Sequence, residues 1–266
     1  MKYTFKQVRD SLTPQKRRNA SLWVRLWARR SGEFFAWICL NCGVTANQAS
    51  VGAILLCVVA LFFMCFNNWV MALIGLILAC LFIAVDCTDG VIARTSKSNS
   101  FMGEYYDALG GYTMASLSMF GAGMVAYHFA SWWPESSRYW LIFIGAFGGM
   151  ADIFSRLVYH KFTVNEIFAN SQRGITELSR ENDEVDRDHP TKNIFLYLRI
   201  MVDQEFGIAG FYPPILLVTF LLGVPEIGVC GYALYHTVGL IAVMYVFLRK
   251  ATVYDIKAKQ EQNETK

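Results

Sequence analysis

Six long apolar runs within 266 residues leave this chain few ways to fold. They lie at roughly 47–66, 69–93, 104–129, 138–160, 205–223 and 228–248. A helix needs about 20 mostly apolar residues to cross the hydrocarbon layer. In that layer only segments that satisfy their own backbone hydrogen bonds are stable. The chain is 55% hydrophobic and 17% charged, with mean hydropathy +0.33, whereas soluble domains carry about 25% charged residues. The expectation is an all-α polytopic membrane protein with six transmembrane helices. Residues 1–43 would form an N-terminal segment, and 44–250 the six-span domain with a polar loop at about 161–203. Residues 251–266 would form a tail. The first 30 residues are basic and polar, without the central apolar run of a cleavable signal peptide.

Charge sets the expected orientation. Lys and Arg concentrate in short cytosolic loops. Six spans with a cytosolic N-terminus put every basic residue except Arg138 in cytosolic segments or at cytosolic span ends. Trp69, Trp132, Trp133 and Trp140 then gather at the outer ends, where interfacial aromatics belong. Both termini and the 161–203 loop would face the cytosol.

Ahead of the first span, residues 20–37 place Leu22, Leu26 and Trp27 on one helical face, with Arg25, Arg29 and Arg30 beside them. This pattern predicts an amphipathic helix at the headgroup level. Seven cysteines lie mostly inside spans. The Cys39/Cys42 pair has no second pair or nearby His to complete a zinc set, so these read as small buried residues.

Chemistry concentrates between Asp86 and Gly111. Asp86 and Asp89, three residues apart, share a face at the end of the second span. Asp107 lies about one turn into the third span, which starts from the same side. Carboxylates at membrane depth cost several kcal/mol each unless paired or bound to a cation. Hard divalent cations with oxygen ligands resolve that cost, and a diphosphate is their usual companion. Asp86, Asp89 and Asp107 are therefore candidate metal ligands. Gly90 lets a ligand approach the backbone closely, Ala93 keeps the next turn open, and Arg94 offers a guanidinium fork to phosphate.

The run Asp86-x2-Asp89-Gly90-x2-Ala93-Arg94-x8-Gly103-x3-Asp107 resembles the signature of the CDP-alcohol phosphotransferase family in register across both spacers. The last aspartate of that signature falls on Gly111. The resemblance implies that Asp86, Asp89, Gly90, Ala93, Arg94 and Gly103 hold the CDP moiety and its metal ions. It implies Mg²⁺ or Mn²⁺ in a two-metal site, here incomplete. Val44-Thr45-Ala46-Asn47 resembles the family's entry to the first span, which gives Asn47 a contact with the nucleotide. The implied reaction is attack of an acceptor hydroxyl on a CDP-linked alcohol, such as CDP-diacylglycerol, with CMP leaving. The family further implies lipid biosynthesis at the cell (inner) membrane, a homodimer, an alcohol or phosphorylated-alcohol acceptor, and no nucleic acid.

In the family the fourth aspartate binds the second metal and takes the hydroxyl proton. Gly111 does neither, and general-base help is worth about 10²–10⁴-fold. Four explanations stand: a substitute carboxylate, an acceptor already ionised, a non-catalytic or altered relative, and an introduced Asp→Gly change. Asp152 is the candidate substitute, because its depth of roughly 15 Å in the fourth span matches roughly 12 Å for Gly111 at 1.5 Å per residue. An i, i+4 ion pair with Arg156 is the other explanation of Asp152. Arg156 and His160 share a face at the end of that span and are candidate acceptor-binding residues, as the family's use of basic groups there implies. Lys161 and Arg199 fit topology-setting roles. Asp203 and Glu205 fit acceptor binding or the cap of the fifth span, and His128 and His236 sit toward the outer halves of their spans. A non-catalytic protein that binds CDP-alcohol and metal is the alternative reading. A small-solute transporter fits the spans but not the registered Gly90, Ala93 and Arg94.

Overall fold

The computed structural model describes residues 2–172, 201–202 and 204–264, and these residues form helices joined by short turns, without strands. Two short helices, α1 (Phe5–Asp10) and α2 (Pro14–Arg18), come first. A π-helical turn, Val24–Ala28, then runs directly into α3 (Arg29–Asn41). The bundle follows: α4 (Ala46–Met64), α5 (Trp69–Ser96), α6 (Phe101–Phe129), α7 (Tyr139–Gln172), α8 (Tyr212–Leu221) and α9 (Pro225–Glu264).

Local chemistry fixes the helix ends. Thr45 caps α4 in a reciprocal capping box with Gln48. Asn68 caps α5 through the Met71 amide, and Ser100 caps α6 through the Gly103 amide. Helix α5 stops at Lys97, whose φ of 54° is left-handed.

Among the described residues, four helices are long and apolar enough to cross a membrane: α4, α5, α7 and α9. Helix α6 is 29 residues long, but the polar residues Glu104 and Asp107 and many Gly and Ser dilute its hydropathy. It runs packed between α4 and α7. The expected span at 205–223 is not one long helix. Residues 207–211 turn, and α8 has 10 residues, or about 15 Å against a hydrocarbon core of about 30 Å. Pro213 and Pro214 can open a helix but cannot sit within one. Conversely, α7 runs twelve residues past the expected span end at 160, and the expected 251–266 tail continues α9 as far as Glu264.

Within 20–37 the π-turn precedes α3, and Leu22 on the expected apolar face is exposed. Leu26 is exposed, while Trp27 packs on the core and Val24, Ala28, Gly32, Ala36 and Leu40 are buried. The buried face is larger because α3 lies against α5: a Cβ on Gly32 would meet the Ala84 carbonyl at 2.8 Å. The start of this element docks on the segment before α8, where Ser21 Oγ donates to the Ala209 carbonyl at 3.1 Å and Glu205 Oε2 accepts from the Leu22 amide at 2.7 Å. Glu205 thus ties two segments together. Arg199, Asp203 and the charged cluster 180–188 lie outside the described residues.

Helices α5 and α6 each pack on α4 and touch one another little, so a cleft lies between them with α4 as its floor. Helix α7 closes on α6 from the other side and carries α9 on its flank.

Candidate active site

The cleft between α5 and α6 holds the carboxylates. Asp86, Asp89 and Asp107 each place one oxygen so that all three lie within 4.8 Å of one another. Helix periodicity makes this convergence possible, since residues three apart on α5 share a face and α6 starts from the same end of the bundle. Asp89 is buried and Asp107 exposed, so the cluster opens outward. Asp89 is held from two directions: Ser50 on α4 donates its hydroxyl to Oδ2, and the Gly90 amide donates to Oδ1 at 2.5 Å. Ser50 is a positioning residue that the sequence did not single out.

The span of 4.8 Å suits oxygen ligands on opposite sides of one hard cation, each about 2.0–2.6 Å away. Without a cation, three carboxylates this close repel one another. Arg94 lies one turn on, and its guanidinium covers Gly90: a Cβ there would sit 3.0 Å from Nη1. The Arg94 Nε is buried without a hydrogen-bond partner among the described residues. An unsatisfied cationic donor beside a carboxylate cluster fits an anionic ligand that bridges to the cation. Ala93, expected to line an open turn, instead packs with Val91, Ile92 and Val8 on the α3 side.

A cavity of about 330 Å³ lies beyond this cluster, lined by Lys2, Tyr3, Asn47, Ile92, Ser96 and Ser100 among others. Ile92 and Ser96 continue the Asp89 face of α5, and Asn47 Oδ1 lies 3.6 Å from where a Gly103 Cβ would sit. Asn47 and Gly103 therefore meet. Lys2 and Tyr3 reach the cavity because Asn41 Oδ1 accepts from both backbone amides, at 2.8 and 3.2 Å. The α3 face behind α5 is basic. Arg17 forms an ion pair with buried Glu33 at 2.8 Å. Burial pushes the Glu33 carboxyl above its ordinary value of 4.5 although Arg17 pulls it down. Burial likewise lowers the Arg29 guanidinium.

On the other wall of α6, Gly110 faces the cluster and Gly111 faces α7. A Cβ on Gly110 would lie 3.6 Å from Asp86 Oδ1, and one on Gly111 would lie 4.0 Å from Arg156 Nη1. Asp152 does not join the carboxylate cluster. Its Oδ2 accepts from Arg156 Nε at 2.9 Å, and its Oδ1 lies 3.4 Å from His236 Nδ1. The i, i+4 pair is thus the arrangement found, and Asp152 holds a cation instead of supplying a free carboxylate at position 111. His236 is buried and belongs to this polar group, with Tyr212, Tyr232 and Tyr235 around it. No spacing along the chain announces this group, because α7 and α9 meet only in the fold. His160 is exposed, with its ring edge-on to Tyr112 at 6.3 Å. His128 lies at the far end, against the Cys65 carbonyl at 3.2 Å.

Residues 43–166 match the family model described as CDP-alcohol phosphatidyltransferase. That stretch runs from the turn before α4 into α7 and contains all three clustered carboxylates, Gly111, Asp152 and Arg156. No curated protein matches the chain.

Proposed function

We propose, since residues 43–166 match the CDP-alcohol phosphatidyltransferase family model, that this chain is a divalent-metal-dependent transferase of that family. It moves a substituted phosphate from a CDP-linked alcohol to an acceptor and releases CMP at the cytosolic face of the membrane. The observation that carries this reading is the convergence of Asp86, Asp89 and Asp107 within 4.8 Å, beside an Arg94 Nε that has no hydrogen-bond partner among the described residues.

The three carboxylates would hold Mg²⁺ or Mn²⁺, which neutralises the diphosphate and stabilises departing CMP. Ser50 fixes Asp89 so that its oxygens do not turn away as the ligand enters. Arg94 pairs with a diphosphate oxygen. Gly90 keeps the backbone open to the donor, and Asn47 and the cavity beside it take the nucleoside. On the α7 side, Arg156 and His160 take the acceptor, with Asp152 holding the Arg156 side chain. The basic-residue asymmetry supports the cytosolic opening, and the lipid-facing bundle suits a donor such as CDP-diacylglycerol. The second reading, a binding protein without turnover, is favoured by Gly111 alone, which offers no proton acceptor.

Calorimetry with the purified chain tests this reading. CDP binding is expected only with Mg²⁺ or Mn²⁺, and Asp89→Asn is expected to abolish it. Unchanged CDP affinity in EDTA, or in Asp89→Asn, refutes the metal-bridged site. CMP release with a panel of acceptors then separates transferase from binder.

A further inference from the structure

We infer that this site is built for one divalent cation, and that the Arg156 guanidinium, held by Asp152 and His236, stands as a fixed positive charge at position 111. The inference rests on the metal-dependent reading above and specifies its ion count.

Three observations carry it. First, the carboxylates gather at one place: an oxygen from each of Asp86, Asp89 and Asp107 lies within 4.8 Å of the others. A second divalent cation sits about 3.5–4 Å from the first in two-metal sites and needs ligand atoms besides those that hold the first. On the turn of α6 that follows Asp107, both wall positions are glycine. Gly110 faces Asp86 and Gly111 faces α7, and neither offers a ligand atom.

Second, the space at position 111 is not neutral. The one atom within 4 Å of a Cβ built there is Arg156 Nη1. A guanidinium remains charged at any working pH, and it repels a divalent cation that approaches its edge. The same edge presents N–H donors in a fork that fits a phosphate or carboxylate oxygen. Arg156 thus brings to this wall the positive charge that a second ion would bring, on a covalent tether.

Third, the guanidinium is held in place. Its Nε donates to Asp152 Oδ2 at 2.9 Å, so the Nη edge faces α6. Asp152 is fixed in turn by His236 Nδ1, 3.4 Å from its other oxygen, and His236 is enclosed by tyrosine rings. Tyr212 among them is anchored by a 2.8 Å hydrogen bond to Ser118 on α6. Asp152 and His236 are positioning residues that act through Arg156. An Arg156 serving only as a surface charge would need no such chain of supports across four helices.

Titration of the detergent-purified chain with Mn²⁺, with free ion counted by electron paramagnetic resonance, tests the inference without reference to turnover. The wild type is expected to bind one Mn²⁺ per chain. Gly111→Asp alone is expected to bind one still, because the new carboxylate pairs with Arg156. Gly111→Asp combined with Arg156→Gln is expected to bind two, with a spectrum broadened by coupling between the ions. Two ions on the wild type, or one on a folded double variant, overturns the inference and leaves the metal-bridged donor site standing. No saturable Mn²⁺ on the wild type overturns both.

Discussion

Where α6 crosses α7, backbone meets backbone at two glycines, and a single methyl group there tests the whole arrangement. A Cβ on Gly145 would lie 2.5 Å from the Met119 carbonyl oxygen and 3.0 Å from Gly123 Cα. Ordinary contact begins at 3.4 Å, so Gly145→Ala must part the helices by about 0.9 Å in an interior that tolerates little overpacking. Overpacking costs about 1–3 kcal/mol, and the upper end applies because backbone cannot rotate away as a side chain can. Gly52 on α4 supplies the control, since nothing lies within 4 Å of its Cβ position. Gly52→Ala is expected to stabilise by about 0.5–1 kcal/mol through helix propensity alone. Helix propensity favours both alanines alike, so the two variants differ by the overpacking cost, about 3 kcal/mol, or on the order of 10 °C in melting temperature for a chain of this size. Thermal unfolding in detergent, followed by tryptophan fluorescence, reads the difference directly. Activity should fall as well. Arg156 lies three turns along α7 from Gly145, Gly111 lies about three turns along α6 from Gly123, and a misplacement of about 1 Å is worth up to about 10²-fold in rate. Equal melting temperatures for Gly145→Ala and Gly52→Ala, with equal CMP release, would refute the close crossing.

Two further outcomes follow from side chains near the cleft. The Glu33 carboxyl has a raised pKa in the folded state, so its contribution to stability is complete below its ordinary value of 4.5 and is lost as pH rises through the folded value. Glu33→Gln is expected to flatten that part of the melting-temperature profile, and an unchanged slope would count against the burial argument. For acceptors that carry phosphate or carboxylate, Arg156→Gln should raise KM by about 10-fold or more, the scale of a charge-assisted hydrogen bond, whereas His160→Ala, at an exposed ring, should change KM less than about threefold; steady-state CMP release checks both.

The apolar runs made α4, α5, α7 and α9 legible to within a turn at their first residues, because span length is written directly in hydropathy. Their last residues were less legible. Helix α7 continues to Gln172 through polar sequence, where helix propensity and not apolarity sustains it. The short α8 was hidden because hydropathy registers Phe211, Ile215 and Leu216 but not the turn at 207–211 that interrupts them. In the site, the convergence of Asp86, Asp89 and Asp107 was readable from spacing on two antiparallel helices. The Asp152–Arg156 pair was readable as one of two options, being local to one helix. Neither the Ser50 bond to Asp89 nor the His236 contact with Asp152 was readable. Each joins residues far apart in sequence, on helices whose relative rotation only packing decides.

The cysteines leave this chain with a built-in reporter. Cys42, in the turn between α3 and α4, is the exposed one of the seven, and the others are buried or partly covered. It stands at the end of the bundle where α4 begins, the end that carries the carboxylate cluster. A bulky, membrane-impermeant maleimide applied to the unaltered protein should therefore react first at one place, without mutagenesis. Protection in sealed cells and modification after they are opened would assign that end of the bundle to the interior. The same thiol offers a fluorophore position beside the cavity lined by Asn47, from which ligand entry can be watched in the native sequence.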